Sequence, residues 1–230
     1  MLGSIIQAQN NLVINGNFED TVICPPARSN SYLDKYLINW QSANLGNPDY
    51  YNRCSPINSV GSVNIPNSST GNQEPVSGDG YSGFFLSFRY IEMKEYITGK
   101  LEESLVKDSI YSVSFFLSTA DYSSYAIDYL GVYLSKDSVF KSNGDLLPYS
   151  PQIESDSGYI LDYQDMWHEI KGLYKARGGE NILHLVAFIN GTNLHGKRII
   201  LQYILVRELI IILIVLQWCC IKNPILLFHQ

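Results

Sequence analysis

The chain is short of grouped cations. Its 230 residues carry 16 Lys and Arg against 22 Asp and Glu, for a net charge of −6. A nucleic-acid module neutralises phosphates with clustered basic residues, so nucleic acid is not expected as a partner. Alanine and Glu/Lys pairs are also scarce, which disfavours a helical bundle. The most apolar stretch, Leu209–Ile221, has 13 residues and is bounded by Glu208 and Lys222. A transmembrane helix needs about 20, so no membrane span is expected. The sequence has no G-x-S-x-G and no H-E-x-x-H, and between residues 10 and 180 its single histidine is His168. Catalysis therefore has little to rest on, and the chain is read as a non-enzyme.

Aromatic residues are abundant: 17 Tyr, 9 Phe and 3 Trp. That excludes a disordered chain, and the length suits one large domain or two small ones. Ile110–Ser118 alternates, placing Tyr111, Val113, Phe115 and Leu117 on one face. Leu130, Val132 and Leu134 repeat the pattern, as do Ile170, Tyr174 and Ala176. Tyr81–Tyr90 reads as an apolar strand. Leu12–Glu19 reads as a strand interrupted at Asn15-Gly16. Ser55–Gly80, rich in Ser, Asn, Gly and Pro, reads as a long loop, and Lys94–Lys107 has room for one helical turn. Short strands without helices between them predict an antiparallel two-sheet β-sandwich.

The residues also resemble a family. Asn11–Glu19 (NLVINGNFE) is similar to the opening strand of galactose-binding-like jelly rolls, the fold of many carbohydrate-binding modules. A longer pattern comprises Trp40, Pro48–Asn52 with Cys54, Gly71–Pro75, Ser77–Gly83, Glu95–Ile97, Ala120–Ile127, and Trp167 leading to Tyr174–Glu180. Over residues 10–180 it resembles a domain at the N-terminus of secreted or outer-membrane proteins of gliding Gram-negative bacteria, often ahead of an OmpA-like peptidoglycan-binding or a sorting domain. The resemblance implies an all-β jelly roll, export to the periplasm, outer membrane or cell surface, and a non-catalytic module, without supplying a ligand; the leading expectation is a carbohydrate-binding or adhesion role. The rivals are a structural spacer without its own ligand and a glycan-active enzyme. Residues 1–9 then read as a leader or the remnant of a signal peptide.

In an exported domain, Cys24 and Cys54 are expected to pair, the alternative being two buried thiols. The resemblance places Glu19 where related modules hold a structural Ca²⁺, an ion that favours hard oxygen ligands. Trp40, Tyr50, Tyr51, Tyr90, Tyr122 and Tyr125 offer flat apolar faces for a sugar, with Asp49 and Asp121 beside them as hydrogen-bonding groups. The competing role for such aromatics is the core. Gly78, Gly80 and Gly83 spell G-x-G-x-x-G, but a loop precedes them and a β-like FFLSF follows, so a turn is expected rather than a dinucleotide site.

Composition changes sharply near Glu180. Residues 1–180 have 12 basic and 21 acidic side chains, whereas residues 181–230 have 4 and 1. Ile and Leu supply 12 of the 18 residues from Ile199 to Leu216. Starting each codon at its third base allows residues 181–188 to encode Tyr-Ile-Thr-Leu-Gly-Ser-Phe. In that frame Gln217–Cys220 gives Val or Met, then Val, then Leu. Both resemble the closing strands of the family, so residues 181–230 are expected to be read out of frame, with those strands lost. Sequencing the coding DNA tests this: the shifted frame should encode an alternating strand ending near Val-Val-Leu, and an early stop codon there would refute it.

Overall fold

The computed structural model describes residues 11–28, 32–57, 60–88, 95–123, 125–127, 130–142, 147, 149–155, 166–187, 194–196, 209–212 and 220–222. Among them there is no α-helix, only a 3-10 turn at Leu33–Lys35. The strands are β1 (Gln41–Ser42), β2 (Asp49–Asn52), β3 (Asn67–Ser68), β4 (Gly71–Asn72), β5 (Gly80–Phe88), β6 (Ile97–Lys100), β7 (Ile110–Leu117), β8 (Tyr125–Ile127), β9 (Leu130–Ser135), β10 (Ile153–Glu154), β11 (His168–Lys175), β12 (Ile182–Ala187), β13 (Leu194–Gly196), β14 (Leu209–Ile212) and β15 (Cys220–Lys222). A five-stranded sheet has the order β1-β6-β12-β9-β10, and three-stranded sheets run β11-β7-β15 and β14-β5-β2. Every strand pairing is antiparallel.

The alternation of β7 is borne out residue by residue. Tyr111, Val113, Phe115 and Leu117 are buried, while the residues between them are half-buried. Leu130, Val132 and Leu134 of β9 and Ile170 and Tyr174 of β11 point into the same core. One apolar cluster thus draws side chains from the five-stranded sheet and from the β11-β7 pair. Such shared burial is the main favourable term available to short strands.

The opening segment is extended up to the break read at Asn15-Gly16: Asn11 and Val13 are bridge residues, Val13 with Leu101, and the chain then turns. Asn15 and Phe18 both adopt positive φ, at 51° and 61°, and Phe18 N–H donates to Asn15 O at 3.1 Å. Extended backbone cannot accommodate two left-handed residues so close together. The turn drives Phe18 into the core, where its ring lies 4.7 Å from that of Trp40. Trp40 Nε1 donates to Asn15 O at 2.8 Å. In place of the helical turn considered for Lys94–Lys107, β6 runs alongside. A Cβ on Gly99 would meet the Trp40 ring at 2.8 Å, so glycine gives the indole its space.

Immediately after Glu180 the residues build a strand as they stand. β12 lies between β6 and β9 and pairs with both. Leu183, His184 and Leu185 are all fully buried, as expected of a central strand covered on both faces. Further along, β14 pairs with β5 and β15 with β7.

Cys24 and Cys54 form a disulfide spanning 30 positions, tying the segment ahead of the 3-10 turn to the end of β2. A closed loop of that size stabilises a domain by about 3–4 kcal/mol through the unfolded chain. Alkylation of the native protein without reductant should label neither cysteine, and Cys24→Ala/Cys54→Ala should lower the unfolding free energy by about that amount. Labelling of both in the folded protein would refute the bond.

Candidate functional site

The aromatic platform expected from sequence is largely core. Trp40, Tyr50 and Tyr51 are each no more than 1% exposed. Tyr51 stacks on Tyr81, whose ring meets Trp167 edge-on. Asp49 is buried as well. All four residues of β2 are buried, and Trp40 lies in the core just ahead of β1, so these rings offer no open face to a sugar. Tyr122 does reach solvent, at 62% exposure. Beside it, the half-buried Asp121 accepts the Asn72 N–H at 2.7 Å and so binds the β3-β4 hairpin. Tyr125 is in β8, with its side chain beyond what is described, and Tyr90 lies outside the described residues.

Glu19 has a different partner from the one expected. Its carboxylate accepts the Asp79 N–H at 2.9 and 3.1 Å and the Gly80 N–H at 3.1 Å. A Cβ on Gly78, at φ +68°, would fall 2.3 Å from Glu19 Oε1. The glycine-rich turn is therefore a cradle for this chain's own carboxylate. Asp79, the adjacent acid, pairs with Arg53 Nε at 3.3 Å. Among the described residues no three His, Cys, Asp or Glu side chains come together as a metal set. Glu19 is thus held by amide hydrogens of the chain itself.

A different surface collects the groups that suit a ligand. The 3-10 turn buries Leu33 and leaves Asp34 exposed, with Tyr32 at its N-cap, 57% exposed. Gln41 faces solvent on β1, an edge strand. Beyond β9 the chain returns so that Lys141 N–H donates to Ala43 O at 2.9 Å, which brings up Phe140, 59% exposed. Together with Ser42, Asn44 and Leu45 these residues line a depression of about 270 Å³. Asn44 is held in shape, its Oδ1 accepting the Gly46 N–H at 2.9 Å. A second depression, about 240 Å³, shares Asp34 and Gln41 and continues along Val22, Ile38, Asn39 and Lys100. Sequence reasoning missed Tyr32 and Phe140. The available signal was a lone aromatic among polar residues outside any alternating run, as in Ser31-Tyr32 and Ser138-Val139-Phe140-Lys141.

Two buried titratable groups lie on or beside the strands of the five-stranded sheet. Glu95, just before β6, accepts N–H bonds from Phe85 at 2.7 Å and Asn47 at 3.1 Å. Burial, with the charge of Asp49 adding to it, pushes its carboxyl up to about 8 against those two donors. His184 bridges strands, with Nδ1 2.9 Å from Thr98 Oγ1 and Nε2 2.8 Å from Ser135 Oγ. Burial lowers its pKa to about 4, so the ring is neutral.

No family model matches the chain, and no curated protein matches it. Solved structures similar to it include a Stig cyclase from Fischerella sp. TAU in complex with an indole compound, at 9% identity and TM-score 0.45 over 77% of this chain and 87% of that one. The K2 cleaved adhesin domain of Lys-gingipain is similar at 11% identity and TM-score 0.40 over 95% and 98%. A cyclase from Fischerella sp. TAU is similar at 10% identity and TM-score 0.41 over 77% and 87%. No helix among the described residues is long and apolar enough to cross a membrane.

The two titrations pull stability in opposite directions. Glu95 holds its proton more tightly when folded, so its contribution is full below about 4.5 and is lost as pH rises to about 8. His184 holds its proton less tightly when folded, so its contribution is present above 6.5 and is lost as pH falls to about 4. The melting temperature should rise as pH drops from 8 to 6.5, level off, and fall below 4.5. Glu95→Gln should abolish the rise on the alkaline side. An unchanged alkaline slope in that variant would contradict the assignment.

Proposed function

We propose that the chain is an exported, non-catalytic jelly-roll β-sandwich module that binds carbohydrate through the surface around Tyr32, Asp34, Gln41 and Phe140, and acts in adhesion to a glycan or cell surface. The observation that carries this is two exposed rings flanking a carboxylate and an amide. Ring faces match the C–H face of a pyranose, and the polar pair supplies directed hydrogen bonds. Five of the large apolar side chains exposed in the described residues, Val22, Tyr32, Ile38, Leu45 and Phe140, line these two adjoining depressions. A spacer without a ligand has no use for such a concentration, which is the mark of a contact surface. Hydrolysis of a glycosidic bond calls for two carboxyls facing each other. Asp34 is the one carboxylate lining either depression, which favours retention of the sugar over cleavage. The disulfide suits an oxidising compartment and supports export.

A glycan array followed by calorimetric titration tests the reading. Tyr32→Ala and Phe140→Ala should each weaken the best ligand about tenfold, a loss of about 1.4 kcal/mol, with melting curves unchanged. Trp40→Ala should instead unfold or strongly destabilise the protein. A folded protein that binds nothing on the array would favour the spacer role.

A further inference from the structure

We infer that the binding surface holds a glycan of at least two sugar units across two chemically distinct subsites, joined at Asp34 and Gln41, and that it disfavours acidic sugars. The inference rests on the carbohydrate reading and adds the size and charge of the ligand. Asp34 and Gln41 line both depressions, which places the two side by side within reach of one extended ligand. Each alone, at about 240 and 270 Å³, falls short of the roughly 300 Å³ at which small-molecule sites begin; together they lie within that range.

The halves differ. On one side stand the exposed rings of Tyr32 and Phe140, which suit stacking. On the other the exposed apolar groups are the aliphatic Val22 and Ile38, and the single ring lining it, Trp40, is fully buried. That half grips by shape and hydrogen bonds. Asn39 contributes little reach, because its amide donates to Ile14 O at 2.9 Å and Lys100 O at 3.2 Å. Lys100 lines the far half, but at the junction itself Asp34 would confront any carboxylate on the sugar there, an unfavourable like-charge contact even at a wet surface.

The test titrates the full chain with cello-, manno- and N-acetylchito-oligosaccharides of one to five units, and with oligogalacturonates of equal length. In the series that binds, affinity should rise at least tenfold from one unit to two or three and then level off. Phe140→Ala should weaken all lengths by a similar factor, and Phe140→Tyr should restore them. Ile38→Ser, at a half-exposed position, should remove the gain with length and leave the monosaccharide unaffected. Oligogalacturonate should bind only after Asp34→Asn. Equal affinity for one unit and for three, or a gain with length that survives Ile38→Ser, would overturn the two-subsite arrangement while leaving the carbohydrate reading intact. Absence of binding by every sugar would sink both.

Discussion

The indole of Trp40 is the piece around which the rest is arranged. It sits against Phe18, donates to Asn15 O, and takes the space that a side chain on Gly99 would fill. Three separate stretches are thereby fixed to one another: the opening turn, the segment entering β1, and β6. Removing an aromatic ring from such a position typically costs about 3–5 kcal/mol, a large share of a small domain's stability. The position of β1 depends on it, and so does Gln41, the residue next to Trp40 in sequence. The surface that faces solvent is thus set by a ring that never does.

How far the sequence could be read depended on how each residue is buried. Half-buried strands write their alternation plainly, and β7 was legible to the residue. In the opening segment the break at Asn15-Gly16 was legible from that pair, but the positive φ at Phe18 was not, because it leaves no periodic trace. The aromatics show the same limit. Tyr50 and Tyr51 are neighbours on β2, and all four residues of that strand are buried. A strand covered on both faces has no polar side to betray its orientation, so Tyr50 and Tyr51 could be assigned to surface or core with equal ease. The pairing of Cys24 with Cys54 was legible because no other cysteine precedes residue 181. The residues lining the depressions were hard to see because they come from a turn, a two-residue strand and a loop, none of which carries a repeating pattern.

β12 shows how packing resolves an unpromising stretch. A histidine between two leucines is an odd choice for a central strand. Its two ring nitrogens nevertheless find hydroxyls on the neighbouring strands, Thr98 on one side and Ser135 on the other. A buried polar group that is fully partnered costs little. Likewise the Glu19 carboxylate receives backbone N–H groups some 60 residues away, and the turn around Gly78 has the conformation needed to present them. In both places a polar side chain joins distant segments of chain, much as a bound ion would.

The disulfide has a mechanical consequence. Cys24 and Cys54 enclose the 3-10 turn, β1 and all of β2, and within that covalent loop lie Tyr32, Asp34 and Gln41. Tension applied to the two ends of the chain would pass from Cys24 to Cys54 through the sulfur bridge and bypass everything between. β1 holds its sheet by only two residue pairs and would otherwise be among the first elements to peel away. Short-circuiting the load leaves that weak strand slack while the domain around it is stretched. A contact made there would sit on a segment that bears none of the load.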